Sequence, residues 1–138
     1  MASGGLGYSL PASIGVALAR PGRRIVALIG DGSAMYCIQA IWTAAQRRLP
    51  ITFVIMNNSG YGAMRAFSQL MQAHRPPGID LPGLDFVALA RGHGCPGRRI
   101  TDVADLDRCL AEALASGGPA LVDIAVDDAT TDLFNHPR

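Results

Sequence analysis

The stretch Arg24-Ile25-Val26-Ala27-Leu28-Ile29-Gly30-Asp31-Gly32-Ser33 decides how the rest of this chain is read. Ile25 to Ile29 form an apolar run with no polar alternation, the pattern of a strand covered on both faces. The run ends in Gly30-Asp31-Gly32, directly before a helical pattern that begins near Ser33. Glycines let the backbone turn sharply and approach a ligand closely. The N-terminus of the following helix offers unpaired N–H groups, at Gly32, Ser33 and their neighbours, that suit a phosphate. Asp31 has the wrong sign for phosphate unless a cation lies between them. Mg²⁺ meets that need, because it is held by one or two protein oxygens together with phosphate oxygens and water.

A second run, Ile51-Thr52-Phe53-Val54-Ile55-Met56, ends in Asn57-Asn58-Ser59-Gly60-Tyr61-Gly62, another glycine-bearing turn before a helix. If the two strands are neighbours, Asp31 and Asn58 emerge on the same edge of the sheet. The Asn58 side-chain oxygen and the Gly60 carbonyl then complete, with Asp31, two phosphate oxygens and a water, a set of about six ligands for Mg²⁺. A third run spans Pro119 to Val126, and a weaker one Cys95 to Ile100.

Helical spacing separates these runs. It predicts helices over about Ser9 to Ala19 (Ile14, Ala17 and Leu18 on one face) and Ser33 to Arg48 (Ile38, Ile41, Trp42, Ala45). Further helices are predicted over about Tyr61 to Ala73 (Met64, Phe67, Leu70, Met71) and Asp85 to Arg91. The last opens at Asp102, a suitable N-cap, and carries Leu106, Leu110 and Leu114. Strands alternating with helices specify an α/β domain, a three-layer parallel sheet with helices on both faces. Residues 1–126 are expected to form that domain and residues 127–138 a polar surface tail.

Composition narrows the function classes. The chain has 138 residues, 49% of them hydrophobic, which is one globular domain and excludes intrinsic disorder. A net charge of +1 offers no global field for nucleic acid or an anionic membrane, and no apolar run is long enough to span a bilayer. All 12 basic side chains are Arg; without Lys there is no Walker A loop, and a dinucleotide fingerprint fails at Met35. Three cysteines at irregular spacing argue against a disulfide framework and for a reducing, cytoplasmic setting. His93-Gly94-Cys95 reads as a turn entering a strand. Glu112 is the single Glu, in a late helix among leucines, and reads as a solvated residue.

Gly30-Asp31-Gly32-Ser33 followed by Asn57-Asn58 resembles the diphosphate-binding signature of thiamine diphosphate enzymes. The branch it resembles is the 2-oxo acid decarboxylase and acetolactate synthase group, nearest to the benzoylformate decarboxylases. The similarity also runs through Gly4-Gly5-Leu6-Gly7, Leu10-Pro11-Ala12-Ser13-Ile14-Gly15, Trp42-Thr43-Ala44-Ala45-Gln46, Phe53 to Ala63 and Pro82-Gly83-Leu84-Asp85-Phe86. It extends from Gly4 to about Val126. The resemblance implies that Asp31, Asn58 and the Gly60 carbonyl bind Mg²⁺, and that Gly30, Gly32, Ser33 and the Tyr61 backbone hold the diphosphate. It makes Leu6 the apolar wedge beneath the bent cofactor and the Gly4 carbonyl an acceptor for the pyrimidine amino group. Met64 and Phe67 would border the substrate pocket.

The implied whole enzyme converts an aromatic 2-oxo acid to an aldehyde and CO₂. In that family an N-terminal domain carries the Glu that activates the pyrimidine, and no residue before Gly4 here corresponds to it. The pyrimidine-binding domain is therefore expected from another chain or a missing part of this one, in a homo-oligomer, and the chain alone should be inactive. The surface around Leu6, Tyr8, Met64 and Phe67 should be exposed and apolar, and prone to association. The alternatives are another member of the branch, such as an acetolactate synthase or carboligating lyase, and a non-catalytic Mg²⁺–diphosphate binding module.

Overall fold

The computed structural model describes residues 5–73 and 76–127, so Gly4 and the tail from residue 128 lie outside the described residues. Four strands, β1 (Ile25–Gly30), β2 (Ile51–Asn57), β3 (Gly97–Ile100) and β4 (Ala120–Ala125), form one sheet in the order β1-β2-β4-β3. Every neighbouring pair is parallel. Six helices accompany them: α1 (Ser9–Ala19), α2 (Asp31–Ala34), α3 (Ala40–Gln46), α4 (Gly62–Leu70), α5 (Phe86–Gly92) and α6 (Leu106–Ala115). A 3₁₀ turn, Val103–Asp105, precedes α6 and is capped by Asp102, whose carboxylate accepts the Ala104 N–H at 2.9 Å. Asp85 caps α5 in the same way, accepting from Ala88. The predicted α/β class, a parallel sheet with helices on both faces, is the architecture observed.

The two faces are covered unequally. On one, Ala27, Ile29, Ile51, Phe53, Ile55 and Leu121 pack against Leu10 and Ile14 of α1, Ile41 of α3 and Phe86 of α5. On the other, only α6 covers the sheet, setting Cys109 and Ala113 on Ala120 and Val122. β2 is therefore buried along both faces, as its apolar run predicts. β1 departs from that expectation: Val26 and Leu28 are 56% and 65% exposed. It is the edge strand, and no described helix reaches its second face.

The predicted helix over Ser33 to Arg48 is broken in two. Between α2 and α3 the bonds tighten to i→i−3 spacing, with Cys37, Ala40, Ile41 and Trp42 donating to the carbonyls of Ala34, Cys37, Ile38 and Gln39. Residues such as Tyr36, Cys37 and Ile38 hold an α-helix only weakly, so tertiary contacts decide here. The chain at Gly7 supplies one: its N–H donates to Ser33 Oγ at 3.0 Å, and its backbone lies against Tyr36. Tightening also rotates the face, so Ala44 is buried and Trp42 is 55% exposed. In α1 the buried stripe is Leu10, Ile14 and Ala17, while Leu18 faces outward.

Candidate functional site

Strand pairing brings the two motif turns together. Gly30 stands opposite Met56 in the β1–β2 register, so Asp31 and Asn57 leave the sheet side by side at its carboxyl edge. That edge is where ligands bind in open parallel sheets. A cavity of about 590 Å³ opens there, lined by Leu6, Gly30, Asp31, Gly32, Ser33, Asn58, Gly60, Tyr61 and Met64 among others. Nearly every residue singled out in the sequence thus converges on one space. Phe67 is not part of the lining and lies on the exposed face of α4. Gly4 falls outside the described residues.

Asp31 is the fixed point. It is only 3% exposed, and both of its carboxylate oxygens are engaged by backbone. Oδ1 accepts the Gly32 N–H at 2.8 Å and Oδ2 the Gly60 N–H at 2.9 Å. Hydrogen bonds of this kind fix the carboxylate in place and draw the two turns together.

The Asn58 amide completes the cluster. With its nitrogen turned inward it donates to Asp31 Oδ1 at 3.2 Å and to the Gly60 carbonyl at 2.7 Å. With its oxygen inward, the same positions hold three oxygens at those separations. Two ligand oxygens of an octahedral Mg²⁺, each about 2.1 Å from the metal, lie about 3 Å apart. Three facing oxygens repel each other unless a cation sits among them, so the donor set and its spacing fit Mg²⁺. Among the described residues no cluster of three His, Cys, Asp or Glu could hold a metal unaided. The remaining positions of an octahedral ion would fall to water or to oxygens of a bound ligand such as a diphosphate.

The remaining walls are set by close packing. The Tyr61 ring lies on Gly32, where an added Cβ would come within 2.5 Å of it. Its phenol is pushed above the usual value, first by desolvation, then by neighbouring Tyr36 and by Asp31, so it stays neutral near pH 7. The Tyr61 N–H donates to the Ile79 carbonyl at 2.8 Å and is already committed, which differs from the diphosphate contact expected of its backbone. The N–H groups of Gly62, Ala63 and Met64, in the first turn of α4, lack intrahelical acceptors by helix geometry and border the same cavity. Ser33 Oγ accepts from Gly7, which fixes the segment carrying Leu6 over the site.

Several contributors carry no local sequence signal. Arg65 donates from Nη1 to the Asn58 carbonyl (3.3 Å) and from Nη2 to the Ser59 carbonyl (3.0 Å), and pairs with Asp80 at 2.8 Å. Residues 79–81 brace the turn through Tyr61 N–H to Ile79 and Leu81 N–H to the Ser59 carbonyl (2.9 Å). Met56, Ala63 and Val126 add to the cavity wall.

Comparison with known proteins matches this geometry. A family described as "Thiamine pyrophosphate enzyme, C-terminal TPP binding domain" matches residues 1–124. This chain belongs to that family. It is 46% identical over 123 residues to benzoylformate decarboxylase of Pseudomonas aeruginosa, covering 89% of this chain and 23% of the relative. An acetolactate synthase large subunit of Parasynechococcus marenigrum is 39% identical over 125 residues, covering 89% of this chain and 20% of that one. Among solved structures, a thiamine diphosphate-dependent 4-hydroxybenzoylformate decarboxylase of Rhodococcus jostii RHA1 superposes with a TM-score of 0.89 at 44% identity. That match covers 94% of this chain and 25% of the other. The chain thus spans about a quarter of the relatives it matches.

For a thiamine pyrophosphate enzyme domain, the rest of the surface is informative. Leu6, Tyr8, Met64 and Phe67 are 50%, 55%, 50% and 45% exposed, so the expected apolar face is present, and Leu70 and Met71 extend it. Glu112 sits on α6, paired with Arg98 at 2.9 Å and Arg108 at 3.2 Å, with no part in the cavity lining. The three cysteines are free, and burial pushes the Cys95 thiol up to about 12.

Proposed function

We propose that this chain is the Mg²⁺- and diphosphate-binding part of a thiamine diphosphate-dependent 2-oxo acid decarboxylase acting on an aromatic 2-oxo acid such as benzoylformate. The observation that carries the reading is the cluster of Asp31, Asn58 and the Gly60 carbonyl, spaced as Mg²⁺ ligands at the mouth of a cavity. Bound there, thiamine diphosphate supplies the electron sink that decarboxylation of a 2-oxo acid requires. Asp31, Asn58 and Gly60 would hold the metal, and the first-turn N–H groups of α2 and α4 would face the phosphate oxygens. Leu6 would support the apolar body of the cofactor, and Met64 would exclude water from the substrate side.

Among the described residues lining the cavity, Asp31 and Tyr61 are the titratable ones. Asp31 is committed to the metal and to backbone N–H groups, and Tyr61 holds its proton. Proton transfer to and from substrate therefore needs groups from elsewhere, and we assign them to a pyrimidine-binding domain seated on the exposed face of Leu6, Tyr8, Met64 and Phe67. The acetolactate synthase reading rests on the second relative, which matches over the same residues.

Calorimetry with thiamine diphosphate, with and without Mg²⁺, tests the proposal. Metal-dependent binding that Asp31→Ala removes is expected; binding indifferent to the metal or to that change would overturn it. With a pyrimidine-binding domain added, release of CO₂ from benzoylformate separates the decarboxylase from an acetolactate synthase, which would consume pyruvate instead.

A further inference from the structure

Behind the metal cluster, on the side away from the cavity, lies a buried carboxylate that the proposed function does not use. Asp123, in the middle of β4, is 0% exposed. Its Oδ1 accepts the Asn57 Nδ2 proton at 2.9 Å. The other terminal atom of the same amide, Asn57 Oδ1, accepts the Ser59 N–H at 3.1 Å. Ser59 has a left-handed backbone, with φ of +56°, and in the turn it forms the Asn58 amide lies 3.2 Å from Asp31 Oδ1 and 2.7 Å from the Gly60 carbonyl oxygen.

The chemistry of the pair sets its direction. An ionised carboxylate only accepts hydrogen bonds, so it takes the NH₂ end of Asn57 and rejects the oxygen end. The oxygen end is thereby left facing the Ser59 N–H. A side-chain bond from Asn to the backbone two residues on is one way to stabilise a turn of this kind, including the left-handed residue. A neutral apolar residue at 123 would leave the Asn57 amide free to rotate, and the turn would lose its lock.

Stability alone does not account for the carboxylate. Among the described residues Asp123 Oδ2 has no hydrogen-bond partner, and the cation it pairs with, Arg99 Nε, is 3.8 Å away on a side chain 46% exposed. Burial pushes its carboxyl above the ordinary carboxylate range, against the opposing pull of Asn57 and Arg99. Such a group is costly in a sheet interior, and an apolar residue of similar size would pack there without the penalty.

We propose that Asp123 is a positioning residue for the metal-binding turn, acting through Asn57 on Ser59. The relay runs from β4 through β2 into the turn, so the sheet sets the geometry of Asn58 and Gly60 from behind while Asp31 sets it from the front. That this turn serves Mg²⁺ and a diphosphate rests on the function proposed above.

Amide hydrogen exchange by NMR on the 138-residue chain, without metal or cofactor, tests the relay. In Asp123→Leu, and in Asp123→Val should the first variant not fold, position 123 has no acceptor for the Asn57 amide, and exchange at Ser59 should rise about tenfold, the expected cost of one lost hydrogen bond. Amides in the centre of β2 should keep their protection. The double variant Asn57→Asp with Asp123→Asn exchanges the two groups: Asn at 123 donates to the carboxylate at 57, whose free oxygen accepts from Ser59. That variant should restore slow exchange, which a merely structural defect at Asp123 would not allow. Unchanged Ser59 exchange in a folded single variant, or no restoration in a folded double variant, overturns the relay. Calorimetry with Mg²⁺ and thiamine diphosphate then asks what the turn serves. Wild-type chain that binds nothing defeats the functional reading and leaves the exchange result to decide the relay. Wild-type binding with an unaltered affinity in the single variants shows that the relay does not position the metal turn.

Discussion

The turn after β1 and the turn after β2 meet at one site, yet they are held in opposite ways. Gly30-Asp31-Gly32 is largely self-contained: Asp31 caps its own neighbour Gly32, and the helix begins at once. The turn Asn57 to Tyr61 is held from outside, by Asp31 in front, Asp123 behind through Asn57, Arg65 from α4, and residues 79–81 alongside. The first supplies the charge and the second the geometry. A site built this way keeps its carboxylate rigid, while Asn58 and the Gly60 carbonyl depend on packing across the domain.

The sharpest way to break the comparison is to remove the one group that both turns share. Asp31→Ala deletes the proposed metal ligand and leaves the Gly32 and Gly60 N–H groups without their acceptor. Hydrogen bonds to charged groups contribute about 1.5–3 kcal/mol each, so metal-dependent binding should weaken at least about a hundredfold. Calorimetry reads this directly. Asp31→Asn keeps one acceptor and should fall between the variant and the wild type.

A smaller effect separates the turns from each other. A Cβ on Gly60 would stand 2.6 Å from the Ile79 carbonyl oxygen, a backbone atom that cannot swing away. A Cβ on Gly32 would meet the edge of the Tyr61 ring, which can rotate. Gly60→Ala should therefore disrupt the pairing with residues 79–81 and cost about 1–3 kcal/mol of stability in urea unfolding. Gly32→Ala should cost less stability and act mainly on binding, because the displaced ring enters the cavity. Equal stability losses would mean that the second turn is no more dependent on its surroundings than the first.

The buried Asp123 gives the second turn a pH dependence of its own. Its carboxyl is raised, chiefly by burial, so the folded form holds a proton that the unfolded chain has already released. Between the unfolded value, about 3.9, and the higher folded one, the unfolded state binds fewer protons, and stability falls as pH rises. Urea midpoints measured across that interval should show the fall in wild type. Asp123→Asn should remove this component, so the difference between the two proteins should grow with pH and level off above the folded value. A constant difference would contradict the shift.

What the sequence made legible follows the same division. Ile25–Ile29 and Ile51–Met56 are strong local signals, and Gly-Asp-Gly beside Asn-Asn names the charge and the neutral oxygen before any fold is known. The parallel class was readable from these; the meeting of Asp31, Asn58 and Gly60 was readable only on the condition that the two strands are neighbours, which the β1–β2 pairing supplies. The external supports were not. Asp123 is one polar residue in an apolar strand that acts 66 residues away, residues 79–81 carry no local pattern, and nothing in the helical spacing marks Arg65 as reaching back to the Asn58 and Ser59 carbonyls. The break between α2 and α3 was hidden for the same reason, since the Gly7 segment that favours it lies far upstream. The open second face of β1 was equally hidden, because an apolar run reports what a strand would bury and not which neighbours reach it.

The smallest expected effect tests how the support from α4 is shared. Arg65 reaches two carbonyls of the turn and also pairs with Asp80, but the two partners differ in burial: the Arg65 side chain is 16% exposed and that of Asp80 72%. An exposed carboxylate contributes less than about 1 kcal/mol to such a pair, whereas the two hydrogen bonds that the largely buried guanidinium makes to main-chain carbonyls contribute more. Arg65→Ala should therefore weaken Mg²⁺-dependent binding several-fold and lower the urea midpoint, while Asp80→Ala should move both only slightly. High salt should erase the Asp80 effect and leave that of Arg65. If the two variants lose binding equally, the ion pair, and not the contact with the Asn58 and Ser59 carbonyls, is what orders the turn from that side. The turn after β2 would then be held by surface electrostatics on one flank, and its affinity for the metal would fall with ionic strength while the capping of Gly32 by Asp31 stayed unchanged.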